Sequence, residues 1–308
     1  MTISANRNLS ANSGVPTMHA IMLGLTILLL AGARIISIVD ARDPWLDEAM
    51  LALNFLDGGG GSPWAVLPYF DQVTTPVYAA LLLIAAQMPD IAQIGALRAT
   101  GALASLAAAA LLYRAARRTG DRPTALFAVV LAFATPMALR FSTELKHYTF
   151  DMLATALVMW LAVRYIEHRS LARLAAFACG SVAIIPASFM APIIIAACGG
   201  GILYHHLFRD GRGPMADRVR AALPLVGAVA AVGILCLAFY ATVVRELTQF
   251  QFSAYPGVYA ANFVDRADIG HSLAILSRLP RFALEGISPF GTLFRDPAPA
   301  AYWLTSAV

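Results

Sequence analysis

Apolar residues in this chain come in long runs, 18 to 39, 95 to 113, 124 to 141, 148 to 166, 171 to 208 and 221 to 244, bounded by short stretches of charge. An α-helix rises about 1.5 Å per residue and the hydrocarbon core of a bilayer is about 30 Å thick, so about 20 such residues make one crossing. Each run except the fifth predicts a single membrane-spanning helix. As one helix the fifth would be about 57 Å long, nearly twice the bilayer core, and it has to fold back. Pro186 and Pro192 flank ASFMA, and because proline removes a backbone donor and clashes with the preceding turn, the reversal is predicted there. The pattern predicts seven spans. The first run exceeds the apolar core of about 7–15 residues in a secretory signal and ends in no small-x-small cleavage site, so it reads as a retained span behind a cytoplasmic tail, residues 1–17.

A shorter apolar stretch, TTPVYAALLLIAAQM from Thr74 to Met88, is closed by Pro89 and Asp90. The distribution of arginine decides its placement. If it does not cross, Arg114, Arg117, Arg118 and Arg122, then Arg164, Arg169 and Arg173, then Arg209, Arg212, Arg218 and Arg220 fall on one side, against Arg42 and Lys146 in the opposite loops before residue 245. That is the excess expected of cytoplasmic loops. If it crosses, the arginines split between the two sides and the bias disappears. The stretch is therefore predicted to lie along the outer membrane face as an interfacial helix. An outer loop, residues 40–94, follows, with surface helices either side of the glycine patch Gly58 to Gly61.

Composition agrees with this. The chain is 59% hydrophobic and 13% charged with a mean hydropathy of +0.69, against roughly 45–50% and about 25% for soluble domains. The net charge of +4 lies in the short loops between spans, where membrane orientation accounts for it without a nucleic-acid partner. Cys179, Cys198 and Cys236 fall inside apolar runs without metal-ligand spacing. The predicted organisation is a seven-span all-α module over 18–244, followed by an outer-side segment over 245–308. This segment ends in PAPAAYWLTSAV, which reads as the start of a further span in a truncated chain.

The polar residues worth chemistry gather in the two outer loops. In WLDEAMLALNFL, Asp47 and Glu48 open an amphipathic helix, where carboxylates complement the N-terminal dipole. At a low-dielectric rim they are equally suited to accept a proton. In the second loop, Glu144, Tyr148 and Asp151 have the i, i+4, i+7 spacing of one helical face, with Lys146 and His147 turned elsewhere. Such a stripe faces protein or a water-filled cavity, for interhelical hydrogen bonding or for function. Arg98, at the outer edge of its run, is placed to snorkel or to bind a phosphate. Asp71 precedes Thr74 as a cap or a ligand.

Four stretches together, WLDEAMLALNFL, DQVTTPVYAALLLIAAQ, ALRATGALASLAAAALLYRAARR and FSTELKHYTFDML, resemble the GT-C glycosyltransferases that use polyprenyl-phosphate sugars. More narrowly the chain resembles their RgtA/B/C/D-like bacterial branch, related to protein O-mannosyltransferases and aminoarabinose transferases. The resemblance covers roughly residues 18 to 244. It implies a GT-C fold in a bacterial inner membrane, a polyprenyl-phosphate-linked sugar donor and a lipid, glycan or protein acceptor, with inverting transfer at the extracytoplasmic face. It implies a general base at Asp47, with Glu48 beside it, and an E-x-K-x-Y motif at Glu144, Lys146 and Tyr148. Catalytic candidates are then Asp47, Glu48 and Glu144, with Glu144 orienting cations or assisting a divalent metal. The substrate-binding candidates are Asp71, Arg98, Lys146, His147 and Tyr148. Where relatives often carry a proline pair, this chain has TTP, ending in Pro76. Two other classes compete: a flippase-like carrier, which expects charges near the midplane and interrupted helices in paired halves, and a non-catalytic scaffold subunit.

Overall fold

The computed structural model describes residues 15–39, 44, 46–56, 61–70, 72–209 and 213–247. Among these the regular structure is all helical: α1 (Val15–Val39), α2 (Leu46–Leu56), α3 (Pro76–Ala85), α4 (Asp90–Thr119), α5 (Arg122–Phe133), α6 (Pro136–Thr143), α7 (Tyr148–Glu167), α8 (Leu171–Ile184), α9 (Ala191–Tyr204) and α10 (Met215–Phe239). The chain is an all-α polytopic membrane protein. Five helical stretches are long and apolar enough to cross a bilayer: Met18–Val39, Gln93–Thr119, Tyr148–Glu167, Ala191–Arg209 and Met215–Leu247. A sixth candidate is the pair α5 and α6, bent by 63° at the break between them, and Leu171–Ala187 is apolar but shorter. Of the seven predicted spans, five coincide with long helices and a sixth with the bent pair, while the helix over Leu171–Ala187 falls short of the length of a crossing. The predicted reversal falls between Ile184 and Ala191, in a single 3-10 turn around Pro186. The proposed segments 1–17 and 245–308 lie almost entirely outside the described residues.

α4 and α7 form the centre, with the most extensive contact of any helix pair. Small side chains permit this: Ala104, Ser105 and Ala108 on α4 and Ala154 on α7 are all buried, and small residues let membrane helices approach closely. At Gly101 an added Cβ would lie 3.1 Å from the Ser142 carbonyl oxygen and 3.4 Å from Thr149 Oγ1. α4 thereby fits tightly under the connection from α6 to α7.

The bend between α5 and α6 has a local cause. Thr135 caps α6 by accepting from the Ala138 N–H at 3.2 Å, and Pro136 occupies the first turn, where its missing donor is harmless. Arg34, 1% exposed within α1, closes the break from the side. Its Nη1 donates to the Leu30 carbonyl at 2.9 Å, and its Nη2 to Ser105 Oγ at 2.8 Å and to the Phe133 carbonyl, in the last turn of α5, at 3.2 Å. A cation at a helix C-terminus is favoured by the dipole, and Arg34 meets no carboxylate among the described residues.

The two ends of the bundle differ in chemistry. At one end Glu167 pairs with Arg118 and lies 3.9 Å from Arg173. At the other end α2, α3, the connection from α6 to α7 and the α8–α9 reversal meet over a shared apolar cluster of Leu51, Phe55, Tyr78, Leu82, Leu97, Leu145 and Phe150. α3 contributes Tyr78, Ala79 and Leu82 to it from a helix about 15 Å long, half the thickness of a bilayer core.

Candidate active site at one end of the bundle

Adjacent acids on α2 go to different environments, because successive helical side chains point about 100° apart. Glu48 turns inward and is fully buried. Its carboxylate accepts from Arg98 Nη2 at 3.1 Å and Nε at 3.3 Å, and from the Leu145 backbone N–H at 3.0 Å. One side chain therefore joins α2, α4 and the connection after α6. Asp47 turns to the rim, 41% exposed, where Lys146 Nζ lies 3.2 Å from its Oδ2. Lys146 also reaches Gln72 Oε1 at 3.5 Å.

The expected helical stripe of Glu144, Tyr148 and Asp151 does not form. α6 ends at Thr143 and Glu144 is extended, with φ −85° and ψ 150°, while α7 begins only at Tyr148. The backbone leaves the helix here to bury Leu145 and give its N–H to Glu48. Glu144 is buried and pairs with Arg140 one turn earlier on α6. Asp151 faces the α8–α9 reversal instead, accepting from the Ser188 hydroxyl, which itself accepts from the Met190 N–H at 3.1 Å. Arg98, expected to snorkel or to meet a phosphate, is instead 1% exposed and engaged by Glu48.

His147 and Tyr148 complete the rim. The His147 ring packs edge-on against Phe189 with centroids 5.1 Å apart. Burial, with a smaller contribution from the Lys146 charge, pushes the imidazole down to about 4, so it is neutral near pH 7. Tyr148, 42% exposed, packs edge-to-face with Phe141 at 5.0 Å. Asp71 lies outside the described residues. Among the described residues no three His, Cys, Asp or Glu side chains come together as metal ligands. Asp47, Glu48 and Glu144 each meet a cation, and Asp151 meets the Ser188 hydroxyl.

Two polar residues that sequence reasoning passed over shape the site. Asn54, on α2, is buried and clamps the following loop. Its Nδ2 donates to the Met50 carbonyl at 2.8 Å and the Tyr69 carbonyl at 3.0 Å, and its Oδ1 accepts from the Tyr69 N–H at 2.9 Å. A buried amide in an amphipathic helix was the available signal, since burying it unbonded is costly. Gln72 becomes visible through its contact with Lys146, and no sequence signal marked it.

The chain is thus a membrane-embedded helical bundle with a rim carboxylate held against a lysine at one end. The chain belongs to the dolichyl-phosphate-mannose-protein mannosyltransferase family, whose model matches residues 73–232. It is a membrane glycosyltransferase of the GT-C type, a class that uses a lipid-linked sugar donor and an acceptor. No curated protein and no solved structure gave a match. The matched stretch holds Arg98, Glu144, Lys146, His147 and Tyr148. Asp47 and Glu48 precede it and join it through their contacts with Lys146, Arg98 and Leu145.

Proposed function

We propose that the chain transfers a sugar from a polyprenyl-phosphate donor to a hydroxyl of a lipid, glycan or protein acceptor, with inversion, at the extracytoplasmic face of a bacterial inner membrane. The observation that carries the reading is the contrast within the acidic pair: Glu48 is sealed against Arg98, while Asp47 stands at the rim against Lys146. The arginine distribution supports the outward-facing assignment.

In this reading the acceptor oxygen attacks the anomeric carbon, the bond from that carbon to the phosphate oxygen breaks, and its electron pair leaves on polyprenyl phosphate. Asp47 takes the acceptor proton, and Lys146 neutralises the charge gathering on the leaving phosphate. The two roles are linked. A donor phosphate that draws Lys146 away from Asp47 frees the carboxylate to accept a hydrogen bond from the acceptor hydroxyl when substrate is in place. Glu48, Arg98, Glu144 and Arg140 position these groups without touching substrate. His147 and Tyr148 line the approach as neutral hydrogen-bonding groups.

The test is incubation of membranes containing the chain with a radiolabelled polyprenyl-phosphate sugar. Label moving into lipid, glycan or protein supports the reading. Label that crosses the bilayer still attached to its polyprenyl carrier supports the carrier alternative, and label that does neither leaves a scaffold.

A further inference from the structure

At the end of the bundle away from the acidic pair, α4 and α7 border an open surface pocket of about 460 Å³ lined by Tyr113, Arg114, Arg117, Arg118 and Trp160. The carbon surface of three arginines and two amphipathic rings makes up most of the lining, and no carboxylate contributes to it. The acids nearby are already engaged at its edge. Glu167 pairs with Arg118 and draws on Arg173, and Asp121 caps α5 by accepting from the Thr124 N–H at 2.9 Å. Arg117 Nη1 donates to the Gly120 carbonyl at 3.3 Å. Arg114 is exposed and has no hydrogen-bond or ion-pair partner among the described residues. A further cation stands close by, with Arg164 Cζ 4.8 Å from the Trp160 ring centroid. The Tyr113 hydroxyl is fixed by His19 Nε2 at 3.0 Å.

The depth of these groups matters as much as their charge. Arg114, Arg117 and Arg118 occupy the last turns of a helix that ends at Thr119, while Trp160 lies about 10 Å inward from the end of α7 at Glu167. The pocket therefore has a cationic mouth at headgroup level and an aromatic floor at the level where acyl chains begin. Guanidinium forks match phosphate geometry, and basic pockets between membrane helices on the arginine-rich side suit anionic headgroups. The geometry points to a phosphate-binding site that holds the headgroup of an anionic phospholipid, in the leaflet opposite the sugar-transfer end. The site is independent of the catalytic reading.

Native mass spectrometry of the full chain in detergent tests it, with phosphatidylglycerol, phosphatidylcholine and inorganic phosphate as probes. Phosphatidylglycerol is retained in preference to phosphatidylcholine, and Arg114→Gln with Arg117→Gln weakens that retention about tenfold or more. Arg169→Gln, at the same end but outside the pocket, leaves it unchanged, and millimolar inorganic phosphate does not displace the lipid. Arg114→Gln alone gives a smaller loss in the same direction, and removing this partnerless exposed side chain leaves the fold intact. Equal retention of the two lipids overturns the site, as does an equal loss on Arg169→Gln, which would reduce it to a general field of positive charge. Displacement by inorganic phosphate overturns the lipid and assigns the pocket to a soluble phosphate.

Discussion

Glu48 on α2 and Arg98 on α4 form a two-pronged ion pair, at 3.1 and 3.3 Å, with neither side chain more than 1% exposed. Breaking such a pair by removing one partner leaves an uncompensated charge in a low-dielectric interior, a cost of about 3–5 kcal/mol, whereas removing both is far milder. Glu48→Gln is therefore expected to lower the thermal midpoint in detergent sharply and to open α2 to proteolysis. The double variant Glu48→Gln with Arg98→Met is expected to recover much of the loss. A Glu48→Gln protein that melts like the parent and loses transfer would instead make Glu48 a catalytic group.

Gly101 and Gly95 lie on the same helix and predict opposite outcomes. At Gly95 an added Cβ would meet Ile38 Cγ2 at 3.7 Å, an ordinary contact, so Gly95→Ala is expected to stabilise by up to about 1 kcal/mol through helix propensity. At Gly101 the same atom would sit 3.1 Å from the Ser142 carbonyl. Gly101→Ala therefore forces the connection bearing Glu144 away from α4, and overpacking of this kind costs about 1–3 kcal/mol. Melting curves of the two variants, side by side, check the prediction.

The run lengths already contained the helical bundle, the reversal near Pro186 and the short helix within 74–88, because each depends on local apolar length and proline. What the sequence hid depends on contacts across the chain. Glu48 and Arg98 are fifty positions apart, and nothing local distinguishes the buried acid from the rim acid beside it. The helical stripe through Glu144 fails because a tertiary hydrogen bond to Glu48 outweighs continued helix. Thr135 and Pro136 spelled a helix start inside an apolar run, and that local signal was legible but yielded to the length of the run. Arg34 was masked by the same averaging. The bent pair it braces is the interrupted helix that a carrier would lead one to expect, yet here its second half carries Arg140 and leads directly into Glu144.

Placement of α3 is testable by labelling. With Cys179, Cys198 and Cys236 replaced by alanine, Gly61→Cys and Met88→Cys flank the helix at exposed positions. Both are expected to react with an impermeant thiol reagent from the same, outer side. Opposite accessibility would mean that α3 crosses, and the arginine argument for orientation would fall with it.

His147 gives stability a definite pH dependence. Its value is about 4 in the folded chain against 6.5 unperturbed, so between those values the unfolded state binds the extra proton. Stability from this group is fully present above pH 6.5 and is lost as pH falls toward 4, by at most about 3 kcal/mol. Lys146, Tyr148 and Phe189 face the ring, and none offers it a negative charge. His147→Gln is expected to flatten the fall of the thermal midpoint over that interval. An unchanged slope would show that other groups carry the acid sensitivity.

Asp47 and Lys146, 3.2 Å apart at the rim, carry the catalytic reading, and the pair can be separated from a merely structural ion pair. If Asp47 takes the acceptor proton, Asp47→Asn keeps the side chain's size and much of its hydrogen bonding but lowers turnover about 10²-fold or more, the scale of general-base catalysis. Donor binding survives. Glu144→Gln, which alters a positioning group, costs less. Lys146→Met acts on the phosphate side, weakening donor affinity as well as turnover. The decisive variant is the exchange Asp47→Lys with Lys146→Asp, which restores the ion pair with its ends reversed. A rim held together by charge alone regains transfer in that variant. A base that has to stand on α2, with a cation on the facing connection, does not, because the carboxylate then sits where the phosphate is due. Label transfer and donor binding measured on the four variants decide between the two, and full activity in the exchanged protein would remove Asp47 from the chemistry.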